Sequence, residues 1–128
     1  MSKRQYYKGK GNNPNNQNKN ICTSAVCDYF GVTDQVHYLH TTHDVVRAIR
    51  KEFTVRSRSS QFRNMSVARA RSKMKEMAED FESTSHVWGF LVFVNSHVLF
   101  VNRFGDTIVD TDSRKADRRK IVKIYIVY

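Results

Sequence analysis

Cys22 opens the apolar run ICTSAVCDYFGV directly after a polar stretch, and the run NSHVLFVNRFGDTIVDTD, residues 95–112, carries His97, Asp110 and Asp112. A thiol at the first turn of a helix meets N–H groups and positive potential, which favour the thiolate and a nearby oxyanion. A thiolate nucleophile also needs a base within hydrogen-bond reach, and the base needs a group to orient it. His97 and a following aspartate supply both types. If RFGD is a four-residue hairpin loop, Asn102 pairs with Thr107, Leu99 lies opposite Asp110, and His97 lies opposite Asp112. Side chains alternate with period two, so His97, Asp110 and Asp112 share one face, with opposite and diagonal neighbours roughly 5 and 7–8 Å apart. Either aspartate can then fix the imidazole tautomer and stabilise its charged form. A slip of one residue on one strand would remove the arrangement.

Other chemistry is less well served. Cys27 lies beside Val26, more than a turn into the same run, and reads as a small buried apolar residue. His86, in STSHVWGF, enters a strand as His97 does and competes for the role of base, but the turn after it leads to no aspartate. His37, His40 and His43 recur every third residue without a companion carboxylate or a Cys pair at zinc spacing. They read as an exposed loop, and no metal is expected. KGKG at residues 8–11 precedes no strand–helix unit, so no phosphate loop is expected, and no serine sits in a nucleophile elbow. No cofactor is called for.

The elements that must position these residues are legible in the periodicity. Ala25, Val26, Tyr29 and Phe30 recur at helical spacing, and Gly31 is a natural stop. Val45, Val46, Ile49 and Phe53 form a second stripe, in HDVVRAIRKEF, with Asp44 in a first turn that suits the helix dipole. TVRSRS alternates like a short strand. After Asn64, Val67, Ala70, Met74, Met77, Ala78 and Phe81 mark a third helix whose methionines read as core packing. Beyond FESTS, the runs HVWGFLVFVN, HVLFVN, TIVDTD and RKIVKIYIVY read as four strands rich in Val, Ile, Phe and Tyr. Several are apolar on both faces, which demands a central sheet covered by helices. Helices followed by an antiparallel sheet make an α+β domain over residues 21–128.

Residues 1–20, MSKRQYYKGKGNNPNNQNKN, lack aliphatic side chains after Met1 and read as a flexible basic arm. The whole chain of 128 residues has a formal charge of +10. Such a balance favours nucleic acid or other acidic partners. The runs RSRSSQFR, ARARSKMK and SRKADRRK could neutralise phosphates, with Arg56, Arg58, Arg63, Arg118 and Arg119 as candidate contacts and Tyr6, Tyr7 or Phe62 available to stack on bases. No named nucleic-acid fold motif is present. Two cysteines are too few for a secreted disulfide scaffold. No apolar stretch approaches the roughly 20 residues that span a bilayer, and the basic start lacks an apolar signal region. A soluble protein of a reducing compartment, the cytoplasm, is the simplest expectation.

A thiol opening a helix, a helical middle, then a His-led strand, a turn and an Asp-Thr strand resembles the layout of papain-like cysteine peptidases. The likeness is to small phage and bacterial forms similar to bacteriocin-leader-processing peptidases. It rests on NICTSAVCDYFGV, SHVLFVNRFGDTIVDT and DSRKADRRKIVKIYIV, and with the intervening helices covers about residues 20–128. The resemblance implies Cys22 as nucleophile, His97 as general base and Asp110 as the orienting group, with Asp112 the alternative. It implies Gln17 or Asn20 as oxyanion support, a peptide or protein substrate, and a place in the host cytoplasm or virion if the chain is phage-encoded. The sequence departs from the pattern in two ways: Ile21 separates Asn20 from Cys22, and Ser96 stands where Gly often precedes the histidine. The competing expectation is a papain-like scaffold without activity, serving as a virion or nucleic-acid-associated basic protein.

Overall fold

The computed structural model describes residues 21–32, 42–81, 86–112 and 116–128. The basic arm, Gln17, Asn20, His37, His40, and the stacking candidates Tyr6 and Tyr7 lie outside these residues, as does the side chain of His43. The elements run α1 (Ile21–Tyr29), α2 (Thr42–Arg50), β1 (Val55–Ser57), α3 (Ser59–Phe62), α4 (Val67–Glu79), β2 (Gly89–Val94), β3 (His97–Asn102), β4 (Thr107–Val109) and β5 (Lys123–Val127). All five strands form one antiparallel sheet in the order β1-β5-β2-β3-β4. The architecture is α+β, as the periodicity predicts. The short TVRSRS strand joins the sheet as an edge beside β5, so one strand comes from the helical half of the chain. The turn of helix α3 inside RSRSSQFR has no apolar stripe of its own and was not visible as a separate element.

The sheet is covered on both faces, which explains why β2 is apolar throughout. On one face Leu91, Phe93, Val98, Phe100 and Val109 pack with Ala25, Val26 and Phe30 of the α1 segment and Val45, Val46 and Ile49 of α2. On the other, Phe90, Val92, Leu99, Val101, Ile124 and Ile126 pack with Phe62, Val67, Ala70 and Met74. Phe100 anchors α1, with its ring centroid 5.0 Å from Phe30 and 5.4 Å from Tyr29. Truncating a fully buried Phe to Ala removes about 3–5 kcal/mol, a large share of a small domain's stability. Phe100 therefore fixes the helix that carries Cys22 against the strand that carries His97.

Local signals set the ends of α1 and of the β3–β4 hairpin. Gly31 adopts φ 78, its N–H bonds to the Asp28 carbonyl, and the Val32 N–H reaches back to Cys27. This paired closure satisfies the last carbonyls of the helix, and the buried Val32 adds the hydrophobic contact that accompanies it. In the hairpin, Asn102 N–H bonds to Asp106 O, and the Asn102 side-chain oxygen accepts from the N–H groups of Phe104 and Asp106. Gly105 takes the positive φ of 87 that a three-residue loop requires. The predicted Asn102–Thr107 pair is thereby replaced by Val101 opposite Thr107, and a bulge then restores Phe100 opposite Val109, the pairing the four-residue loop predicts. The register at the Asp110 end is as expected, although the turn is built differently.

Candidate active site

Cys22 lies in the first turn of α1, where N–H groups have no acceptor within the helix. Its half-buried sulfur meets the His97 side chain and accepts from the backbone N–H groups of Val98 and Thr23. His97, the first residue of β3, follows a tight turn in which Ser96 takes φ 59. That positive φ, uncommon for a residue other than glycine, gives a physical reason for Gly to be favoured there. The His97 Nε2 lies 2.8 Å from Oδ1 of Asp110, which leaves Nδ1 for the sulfur. Asp110 follows the last residue of β4 and is 1% exposed. Asp112 does not take the histidine's side: it is exposed, and its backbone N–H donates to Asp110 Oδ1 at 2.9 Å. The hairpin thus brings Cys22, His97 and Asp110 together and gives the alternative aspartate a supporting role.

The charges of the three groups lock together. Burial alone would push the Cys22 thiol up, but the hydrogen bonds from His97 and from Val98, with the charge of the imidazole, bring it below its ordinary value. Burial would likewise depress His97, yet its bonds to Asp110 and Cys22, together with their charges, raise it to about 9. Asp110 is opposed by burial too, and bonds from His97, Arg119 and the Asp112 N–H hold its carboxyl below the usual carboxylate range. Opposite displacements of an adjacent thiol and imidazole favour the thiolate–imidazolium form near neutral pH. Cys27, five residues along the same helix, has only burial acting on it and rises to about 12.

Two functional neighbours were hidden in a run read as a basic surface. Arg119 was expected to contact phosphate; the structure corrects this, because its side chain is 11% exposed and committed to carboxylates. Its Nη2 donates to Asp110 Oδ2 at 2.7 Å and to Asp117 Oδ2, and its Nε donates to Asp117 Oδ1 at 2.7 Å. The Asp117 hydrogen bond is foremost in holding the guanidinium protonated, and Asp110 reinforces it against burial. The available signal was an aspartate inside an otherwise basic run, Asp117 in ADRRK. Of the other cationic candidates, Arg56, Arg63 and Arg118 are exposed, while the half-buried Arg58 donates to the Ser57 carbonyl at 2.8 Å. Phe62, offered as a stacking residue, is fully buried in the core and cannot meet a base.

His86 is excluded as the base by position. It is exposed, and its Nδ1 lies 3.1 Å from Nη1 of Arg103, which follows β3 at the end remote from His97. Among the described residues no group of three His, Cys, Asp or Glu side chains is arranged to hold a metal. Nor is any helix among them long and apolar enough to cross a membrane. Searches of protein-family models, curated proteins and solved structures find no match to the chain.

Proposed function

We propose that the protein is a thiol hydrolase, a cysteine peptidase or amidase of papain-like design, acting through Cys22, His97 and Asp110. The observation that carries this reading is the continuous relay from the Cys22 sulfur through His97 to the buried Asp110. The Cys22 thiolate attacks the carbonyl carbon of an amide, and the electron pair of the carbonyl moves onto oxygen. The start of a helix, where N–H groups have no acceptor within the helix, is a favourable place for that oxyanion. Collapse of the intermediate expels the amine, which takes its proton from the His97 imidazolium and leaves a thioester on Cys22. His97, now neutral, removes a proton from water as the water attacks the thioester. The acid product leaves and the thiolate–imidazolium pair returns. Asp110 keeps the ring in the tautomer and orientation that both transfers need.

The test is hydrolysis of a mixed peptide or protein substrate set by the wild-type chain and by Cys22→Ala, with the fold of each checked by circular dichroism. Loss of cleavage in a folded Cys22→Ala variant is the expected outcome, and unchanged turnover would end the reading. A second reading, association with nucleic acid, is favoured by the exposure of Arg56, Arg63 and Arg118 and by the charge of +10. It predicts a binding constant that falls steeply with salt, and it is compatible with hydrolysis.

A further inference from the structure

We propose that Arg119 is a positioning residue of the relay: it keeps Asp110 ionised beside a second buried carboxylate, Asp117, and aims Asp110 Oδ1 at His97. The inference rests on the proposed Cys22–His97–Asp110 chemistry and adds to it a cation that touches neither substrate nor thiol. Asp110 divides its oxygens between two tasks. Oδ1 serves the His97 ring and the Asp112 N–H, and Oδ2 accepts from Arg119. A carboxylate fixed at both oxygens cannot rotate, so the direction of its bond to Nε2 is set by the guanidinium.

Arg119 is itself built into the fold. Asp117 grips it at Nε and Nη2, the fork geometry that only arginine presents. The backbone on either side is tied to the start of α4: Val67 N–H donates to Arg119 O at 2.9 Å, and Ala68 N–H donates to Asp117 O at 2.8 Å. Two N–H groups that a helix cannot satisfy internally thus hold the segment that holds Asp110. The opposite layer of the molecule, α4, is thereby connected to the histidine at the start of β3.

The electrostatic argument is independent of the geometric one. Asp110 and Asp117 are each 1% exposed and share one Nη2 group. Two buried carboxylates this close cannot both stay ionised without the cation between them. Among the described residues, the charged groups at Asp110 are His97 from β3 and Arg119, with Asp112 two residues on donating its N–H, Asp117 behind Arg119 and Cys22 of α1 beyond the imidazole. Removing the Arg119 charge favours a proton on Asp110. A neutral Asp110 no longer sustains the imidazolium, and the Cys22 thiolate loses its counter-ion.

The decisive measurement is the pH dependence of Cys22 alkylation by iodoacetamide, which needs no substrate, with thermal unfolding followed in parallel. Wild type is expected to react at a near-constant rate down to mildly acidic pH. In Arg119→Gln the acid limb moves upward and the rate at pH 6 falls at least about tenfold. Adding Asp117→Asn relieves the carboxylate repulsion and returns most of that rate, a rescue that a merely structural role would not give. Arg119→Lys, which keeps the charge but not the fork, lowers the rate at pH 6 measurably but by less than about tenfold, and it decides the matter alone if Arg119→Gln does not fold. A wild-type limb in Arg119→Gln or in Arg119→Lys, a double variant slower than the single one, or an Arg119→Lys limb moved as far as tenfold would each overturn the proposal. If wild-type Cys22 titrates like an ordinary thiol, the thiol-hydrolase reading itself falls, and the role of Arg119 falls with it.

Discussion

The first and second turns of α1 each carry a cysteine, and the helix gives them opposite chemistry. Cys22 points to the end of the sheet, where the Val98 N–H and the His97 ring meet it, and its thiol is shifted down. Cys27 points into the core among Ala25, Val26 and Phe30, meets no charge, and is pushed up to about 12. Cys27 is fully buried and Cys22 half-buried, but burial pushes both thiols up, so burial is not what lowers Cys22. The difference lies in what replaces the water: oriented N–H groups and an imidazole in one case, hydrocarbon in the other. A thiol becomes a nucleophile through its neighbours, and one helix turn is enough to change them.

Breaking the better-supported half of the contrast should have the largest effect. Cys22→Ala is expected to abolish amide hydrolysis and rapid alkylation while the unfolding midpoint stays close to wild type; Cys27→Ala should leave both reactions in place. Next in size, His97→Ala should slow alkylation of Cys22 near pH 6 by at least about 10²-fold, because a thiol without its imidazolium partner is almost wholly protonated there. The rate at Cys27 should be unaffected, which makes it an internal control.

The two pH limbs sharpen the comparison further. The folded His97 titrates at about 9, so hydrolysis should decline as pH rises through that value and the leaving amine loses its proton donor. Alkylation of Cys22 should not decline there, because the thiolate persists and that reaction needs no acid. Parallel decline of both rates would contradict the assignment of His97 as proton donor. The smallest effect concerns packing: Cys27→Ala should lower stability by about 1 kcal/mol in denaturant titration, a cost of core volume with no reactivity change.

How much of this was legible without coordinates differs between regions. The helix α1, its stop at Gly31, the Met-bearing helix α4 and the paired runs of β2 and β3 follow from spacing and turn residues, which act locally. The link between His97 and Asp110 was legible because strand alternation carries a residue's direction along a hairpin. Its details were not: Asn102 and Gly105 build a three-residue loop, and a bulge returns the strands to the predicted pairing. Arg119 was misread for a different reason. Its immediate neighbours in sequence are basic, and the one aspartate in SRKADRRK does not say which arginine turns inward or that it meets a carboxylate nine residues earlier.

By itself, then, the sequence determined the elements other than α3, the burial of both sheet faces and the order of thiol, imidazole and carboxylate, because periodicity and turn chemistry are local properties of the chain. Only the tertiary structure decided which aspartate serves His97, which cysteine meets the ring, and that Arg119 and Asp117 stand behind the carboxylate. Those choices depend on α1 and α4 packing on opposite faces of the sheet. The close approach of charged groups from distant segments, and the exclusion of water around them, exist only once those layers are assembled.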